Sequence, residues 1–174
     1  VTGVQTCALP IFTHKRELVL VTPAQEAALG REGHTATLAE YGAYDDAALA
    51  AYVDSVGRRV ARASDQPGLP WRFTILDDAV VNAFALPGGY IYVTRGLLAH
   101  LQSEAQLAGV LGHEIGHVTA RHSARHITQQ TLAGLGLRIA VSVSPTFERY
   151  GGVAEQALGL LMLKYSRDDE SQAD

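Results

Sequence analysis

The stretch VLGHEIGHVTARH, residues 110–122, contains residue types whose spacing could bind a metal ion and break a peptide bond. His113 and His117 lie four residues apart, so in a helix both imidazoles project from one face and can reach a single zinc ion. Glu114 lies about 100° round the helix from His113, where its carboxylate can act as a general base toward a water molecule at the metal. The HExxH pattern therefore predicts a zinc site with hydrolytic chemistry.

A capped helix is predicted to carry this motif. Ser103 is a favourable N-cap, and Gln106 completes a capping box, so the helix should begin after Ser103 and run past His122. The alternative to a metal site is a helix with two surface histidines. Three glycines argue against that alternative, because each costs a helix roughly 1 kcal/mol and close packing should compensate for them: Gly109, Gly112 and Gly116.

A zinc site needs a third protein ligand, and a third histidine on the same helix does not supply it. In metalloproteases with three histidine ligands, a glycine and then a histidine follow at fixed positions, which Ala120 and Ser123 occupy here. His122 misses the required position by one residue, and no glycine is present to bend the helix there. The alternating basic residues instead predict a solvated helix face, made of Arg121, His122, Arg125 and His126.

A glutamate on a later helix is the other way to complete the site. The segment YSRDDESQAD offers Glu170, with Asp174 four residues on and on the same helical face. Glu170 is predicted to be the third ligand, and Asp174 to accept a hydrogen bond from the ring N–H of a ligand histidine. Asp168 and Asp169 are the alternatives, and solvated charges with no role in the site are a further reading of this segment.

The elements around this motif predict an α+β fold, mostly helical with a small antiparallel sheet. Thr22, Pro23 and Gln25 form a capping box for a first helix that extends to about residue 39. A second helix is predicted from near Asp45, with an apolar stripe of Leu49, Val53, Val56 and Val60. The alternation in WRFTILDD predicts a strand, and NAFALPGGYIYVTRG predicts two short extended pieces around a Pro-Gly-Gly break.

The segment NAFALPGGYIYV is the candidate for substrate binding. A free strand edge can pair with the backbone of an extended peptide, which gives affinity with little sequence preference. Asn82 and Ala85 are predicted to line this edge, and Gly88 and Gly89 to permit close approach of a substrate backbone. The alternative is a plain hairpin turn with no substrate role.

Composition narrows the class of protein. The chain has 174 residues and a net charge of −4, which argues against a nucleic-acid surface. The single cysteine, Cys7, permits neither an internal disulfide nor a cysteine metal cluster. The longest apolar stretches, residues 131–143 and 157–165, are shorter than the roughly 20 residues of a membrane span, and buried helices are predicted there. Residues 1–13 are expected to be a non-native or leader-derived segment, and residues 14–174 a catalytic domain truncated at its C-terminus.

Three separated motifs, NAFALPGGYIYVTRGLL, AQLAGVLGHEIGHVTARHS and YSRDDESQAD, together resemble the zinc metallopeptidases related to the CAAX prenyl endopeptidase, in particular their soluble bacterial BepA-like branch. The resemblance implies a zincin-like (gluzincin) fold, one zinc ion held by His113, His117 and Glu170, and Glu114 as general base. It also implies polypeptide substrates, a periplasmic location, peripheral membrane association in some members, and a role in the quality control of envelope proteins.

Two hypotheses about function follow. The first is a zinc-dependent endopeptidase that acts on unfolded or misassembled proteins. The second is a chaperone-like binding module that holds unfolded chains and keeps zinc only for its structure. Glu114 favours the first, because a structural zinc ion needs no base next to its first ligand.

Overall fold

A computed structural model of the chain describes residues 20–128 together with residues 170, 171 and 173. The elements in order are α1 (Pro23–Tyr41), α2 (Ala47–Arg62), β1 (Arg72–Leu76), β2 (Ala83–Leu86), β3 (Tyr90–Thr94), α3 (Arg95–Leu98) and α4 (Glu104–Thr119). The predictions for residues 1–13, for the apolar stretches 131–143 and 157–165, and for Asp168, Asp169 and Asp174 lie outside the described residues. Within the described part, no helix is both long enough and apolar enough to cross a membrane.

The helix starts follow from their capping residues. The Thr22 side chain accepts a hydrogen bond from the Gln25 backbone N–H, and the Gln25 side chain accepts one from the Thr22 N–H, so the predicted capping box is confirmed. Asp46 caps α2 through the backbone N–H of Leu49. Ser103 caps α4 as predicted, but the Gln106 side chain reaches one residue further back than a capping box requires, to the backbone N–H of Gln102.

The three strands form a mixed sheet in the order β1-β3-β2. β2 and β3 make the predicted hairpin and pair antiparallel, whereas β1 pairs parallel to β3. The prediction of a wholly antiparallel sheet was therefore wrong for β1. The reason is topological, because the hairpin that follows β1 places its second strand, β3, next to β1 and its first strand, β2, at the outer edge.

Helices cover both faces of this sheet. The larger core lies between the sheet and helices α2 and α4, and it includes Val53, Val56, Ile91, Leu111 and Ile115. The opposite face packs against α1 through a smaller cluster built on Leu76, Leu86, Tyr90 and Tyr92. Burial on both faces explains why every residue of β3 is buried. The α+β class is confirmed. In this arrangement α4 packs against β2.

Helix α4 ends earlier than predicted, and the chain turns sharply after it. The last helical residue is Thr119, Ala120 is the C-cap, and Arg121 adopts a left-handed conformation with φ of 55°. A second helical segment, residues 122–128, begins directly after this turn. The prediction of one helix running past His122 was wrong because it assumed that only a glycine could make this turn.

The Arg121 side chain joins this turn to the start of α1. Its Nε donates a hydrogen bond to Glu26 Oε1 at 2.8 Å, and its Nη2 donates to the Val21 carbonyl at 2.9 Å. Arg121 and Glu26 thus form an ion pair, and both side chains are largely buried. The left-handed backbone of Arg121 costs roughly 1 kcal/mol or more, and charge-assisted hydrogen bonds of this kind can offset such a cost.

Candidate metal centre

The two motif histidines face each other on one side of α4. Their Nε2 atoms lie 3.0 Å apart, and their rings meet edge to face with centroids 4.7 Å apart. His117 is almost completely buried, whereas His113 keeps about a quarter of its side chain exposed. The site is therefore anchored on the core side by His117 and open to solvent on the side of His113.

Glu170 completes a group of three potential ligands. One carboxylate oxygen lies 3.1 Å from His113 Nε2, and the other lies 3.8 Å from His117 Nε2. In a tetrahedral zinc site with bonds of about 2.0–2.1 Å, two ligand atoms lie about 3.3 Å apart. The separation of the two Nε2 atoms, 3.0 Å, and that of His113 Nε2 from one Glu170 oxygen, 3.1 Å, are close to this value, while the other Glu170 oxygen lies 3.8 Å from His117 Nε2. The nitrogen and oxygen donors also match the preference of zinc, so these residues fit the ion.

Close packing explains one of the three glycines of α4. A Cβ atom added to Gly116 would lie 2.7 Å from the backbone oxygen of Ala173 and 2.9 Å from its Cα. The segment that carries Glu170 can approach the helix only because residue 116 has no side chain. Gly112 makes an ordinary contact with Val60. Nothing in the described part of the chain lies close to Gly109, so the prediction of close packing is not borne out there by the described residues.

Glu114 is a buried carboxylate beside this group. The residue is 7% exposed, and among the residues that the structure describes, one of its oxygens has no hydrogen-bond partner. The pKa of Glu114 is raised to about 7, mainly by burial; the charge of His113 opposes this rise, and the charge of Glu170 adds to it. A carboxylate with such a pKa can both accept and return a proton near neutral pH, which is the property that a general base needs.

This burial predicts a pH-dependent stability for the metal-free chain. Folding raises the pKa of Glu114 from 4.5 to about 7. The contribution of this group to the free energy of unfolding is therefore fully present below pH 4.5 and is lost as the pH rises through 7. We expect Glu114→Gln to raise the free energy of unfolding of the metal-free chain by up to about 3 kcal/mol at pH 8 and by little at pH 4.5. Urea unfolding with chelator present, at both pH values, measures this difference. An equal effect of the substitution at both pH values would contradict the prediction.

His122 is the site residue that sequence reasoning missed. It was predicted on a solvated face, but it is fully buried, and its Nδ1 lies 2.8 Å from Nδ1 of His117. Arg125 is also buried, whereas Arg121 and His126 are half-buried, so the prediction of a solvated face was wrong. The turn at Arg121 is the cause, since it folds the next helical segment back toward α4. The only sequence signal was the histidine itself, five residues after His117.

The predicted substrate-binding residues lie on β2 and in the turn that follows it. Asn82 is exposed, but its backbone N–H and C=O both bond to Thr94 and so point toward β3. Because such pairs alternate along antiparallel strands, the N–H and C=O groups of Ala83 and Ala85 point away from β3, toward the outer edge of the sheet. The Ala85 side chain itself is buried in the core.

Gly88 and Gly89 form the turn of the hairpin. Both have positive φ angles, 84° and 92°, which glycine adopts without strain. Their near neighbours are α1 at Ala27 and the loop residue Trp71. The hairpin geometry is sufficient to account for both glycines, and their role toward a substrate stays a prediction.

Comparison with known proteins agrees with this geometry. The sequence matches peptidase family M48 over residues 47–174. It is 30% identical over 140 residues to the beta-barrel assembly-enhancing protease of Escherichia coli strain K12, which covers 75% of this chain and 28% of that protein. It is 31% identical over 161 residues to the mitochondrial metalloendopeptidase OMA1 of Schizosaccharomyces pombe, which covers 86% of this chain and 44% of that protein.

A plant metalloendopeptidase is also similar in sequence to this chain. The mitochondrial metalloendopeptidase OMA1 of Arabidopsis thaliana is 39% identical over 115 residues, which is 66% of this chain and 23% of that protein. The chain thus spans less than half of the length of each of these relatives. The family match covers α2, the sheet, the HExxH helix and Glu170. The chain belongs to peptidase family M48, a family of metallopeptidases.

Proposed function

We propose that this chain is the catalytic part of a zinc-dependent endopeptidase that hydrolyses peptide bonds in unfolded or misassembled proteins. The observation that supports it most is the convergence of His113, His117 and Glu170 on one point, with the buried carboxylate of Glu114 beside them. These three residues would hold one zinc ion. Asp174, which lies outside the described residues, remains the predicted hydrogen-bond acceptor for one ligand histidine.

The zinc ion would activate both the substrate and the attacking water. Zinc held by His113, His117 and Glu170 would polarise the scissile carbonyl as a Lewis acid and would lower the pKa of a water molecule toward about 7. Glu114 accepts a proton from the attacking water molecule while the oxygen of that water bonds to the carbonyl carbon. Glu114 then delivers that proton to the leaving nitrogen as the C–N bond breaks, so the products are a carboxylate and an amine. Its raised pKa suits both transfers.

The edge of β2 is the proposed binding surface for the peptide. The outward backbone groups of Ala83 and Ala85 can pair with an extended chain, and α4 packs against this same strand. Pairing through the backbone depends little on the amino-acid sequence of the substrate, which suits a protease of unfolded chains. Within the described residues, no strand pairs with this side of β2.

The proposed place of action is the bacterial periplasm, with misassembled envelope proteins as substrates. The support is the name of the Escherichia coli relative, which refers to beta-barrel assembly, since proteins of that architecture span outer membranes. Peripheral membrane association stays a prediction. The alternative, a chaperone-like module with a structural zinc ion, leaves the burial of Glu114 without a purpose, because burying an ionisable group costs stability.

The function is tested by incubating the full chain with an unfolded casein, with zinc and with excess chelator. We expect cleavage at internal peptide bonds with zinc and none with chelator, as mass spectrometry of the fragments reports. Binding of casein without any cleavage would favour the chaperone-like alternative. Release of single terminal residues only would contradict the assignment as an endopeptidase.

The binding surface is tested by Ala83→Pro. Proline removes an outward N–H at the first residue of an edge strand, a position where it leaves the bonds to β3 intact. Loss of one backbone hydrogen bond to the substrate should lower kcat/KM by about 3- to 10-fold, with zinc content unchanged. Asn82→Ala is the matched control, because the Asn82 backbone already bonds to Thr94. An unchanged kcat/KM in the proline variant would contradict pairing at this edge.

A further inference from the structure

The ring of His122 lies directly behind the ligand His117. The two Nδ1 atoms are 2.8 Å apart, and the rings meet at 71° with centroids 5.0 Å apart. His122 is 0% exposed and His117 is 2% exposed, so both imidazoles are removed from water. A buried nitrogen–nitrogen contact of this length is a hydrogen bond, in which one ring donates and the other accepts.

The chemistry of metal binding decides which ring donates. His117 presents its Nε2 to His113 and Glu170, so this nitrogen must offer a lone pair if a metal ion is to bind there. A neutral imidazole then carries its proton on Nδ1. The donor in the contact is therefore His117 Nδ1–H, and His122 Nδ1 is the acceptor, with the proton of His122 on its own Nε2.

The backbone places His122 there through the turn after α4. The left-handed Arg121 reverses the chain immediately before His122, and the ion pair with Glu26 ties this turn to α1. The helical segment 122–128 continues through the hydrogen bond from the Arg125 N–H to the Arg121 carbonyl. The turn that precedes His122 is thus fixed both by α4, which it ends, and by the contact with α1, and this fixes the position of His122.

We propose that His122 is a positioning residue, whose Nδ1 accepts a hydrogen bond from His117 and so holds the His117 ring with its Nε2 lone pair toward the metal. This inference rests on the zinc site of the proposed function. A partner of this kind fixes both the tautomer and the orientation of a ligand histidine and raises its basicity. His122 itself does not belong to the group of three potential ligands.

Two variants of the full chain separate this role from simple packing. His122→Leu removes the acceptor while filling the buried space, and His122→Asn keeps an oxygen acceptor near the position of Nδ1. Thr128→Ala is the control, since Thr128 is buried in the same helical segment and bonds to Ala124 and Leu20, away from the ligands. Each is titrated with zinc alone in competition with a chromophoric chelator.

We expect the Leu variant to bind zinc about 10- to 100-fold more weakly than the parent chain, and the Asn variant to lie close to the parent. The Thr128→Ala control should lose stability and keep its zinc affinity. Equal zinc affinity of the Leu variant and the parent would overturn the inference and leave the zinc site standing. Absence of zinc binding by the parent would overturn the site of the proposed function, and the inference with it.

A second readout needs no metal. The nitrogen-15 chemical shifts of the His117 ring in the metal-free chain distinguish an Nδ1–H from an Nε2–H imidazole. We expect the Nδ1–H form in the parent and in the Asn variant, and a mixture of both forms in the Leu variant. An Nε2–H form in the parent would overturn the inference. If the Leu variant fails to fold, the parent's tautomer and the zinc affinity of the Asn variant decide the question.

Discussion

Replacing Glu114 by glutamine is expected to reduce peptide-bond hydrolysis by about 10²- to 10⁴-fold, which is the usual contribution of a positioned general base. Glutamine has the same shape and cannot take a proton from the attacking water. Zinc content should stay at the parent level, because the three potential ligands are other residues. Initial rates of cleavage of an unfolded casein, together with zinc per chain, measure both halves of this prediction.

The control for this variant lies on the same helix. Glu104 is exposed at the start of α4 and bonds to Arg59 and Tyr52, well away from the motif in the sequence. Glu104→Gln should therefore leave the cleavage rate unchanged within about twofold, since exposed ion pairs contribute little. Cleavage by Glu114→Gln at the parent rate would contradict its assignment as the base.

Replacing Gly116 by valine should weaken zinc binding by about 10- to 100-fold, the range that applies when the support of a metal ligand is lost. The first carbon of any side chain at residue 116 would meet the Ala173 backbone at 2.7 Å. Backbone cannot move aside as the end of a flexible side chain can, so Ala173 must shift away from α4, and Glu170 on the same segment should shift with it. Glu170 would then leave the two histidines, although no ligand has been replaced.

Gly109→Ala provides the matched comparison. Gly109 lies on the same helix, and no described residue would contact a methyl group there, so alanine should stabilise the chain by roughly 1 kcal/mol through helix propensity. Its zinc affinity should equal that of the parent, as titration against a chelator reports. Parent-like zinc affinity in Gly116→Val would contradict the close packing of Ala173 against residue 116 of α4.

Local rules were sufficient for most elements of the fold. The caps at Thr22 and Ser103 are set by side-chain hydrogen bonds within a few residues, and they begin their helices where the sequence predicts. The hairpin follows from its Pro-Gly-Gly turn, because two consecutive residues with positive φ favour glycine. The pairing of the potential ligands His113 and His117 depends only on helical spacing, and the structure brings their Nε2 atoms together.

The features that sequence reasoning missed depend on contacts between distant parts of the chain. A left-handed arginine is uncommon, and the turn at Arg121 is held by Glu26, which lies 95 residues away in the sequence. Without that turn, His122 would remain on the outer face of a longer helix. The parallel pairing of β1 with β3 has a similar origin, because it is decided by which strand of the hairpin docks against β1.

Some features of the candidate site could be predicted from the sequence, and others could not. Glu170 could be proposed from its spacing to Asp174 and from the family resemblance, and it lies 3.1 Å from His113. The outward backbone groups of β2 could not be assigned from the sequence, because a strand's hydrogen-bonding register is fixed only by its partner. That is why Asn82 was predicted at the free edge, whereas its backbone faces Thr94.

The most direct test of this account is the zinc content of the dialysed full chain beside that of Glu170→Ala, measured by elemental analysis. We expect about one zinc ion per chain in the parent and far less in the variant, because two histidines alone do not complete a site of three protein ligands. Equal zinc in both proteins would contradict Glu170 as the third ligand. A parent chain without zinc would contradict the metal site itself.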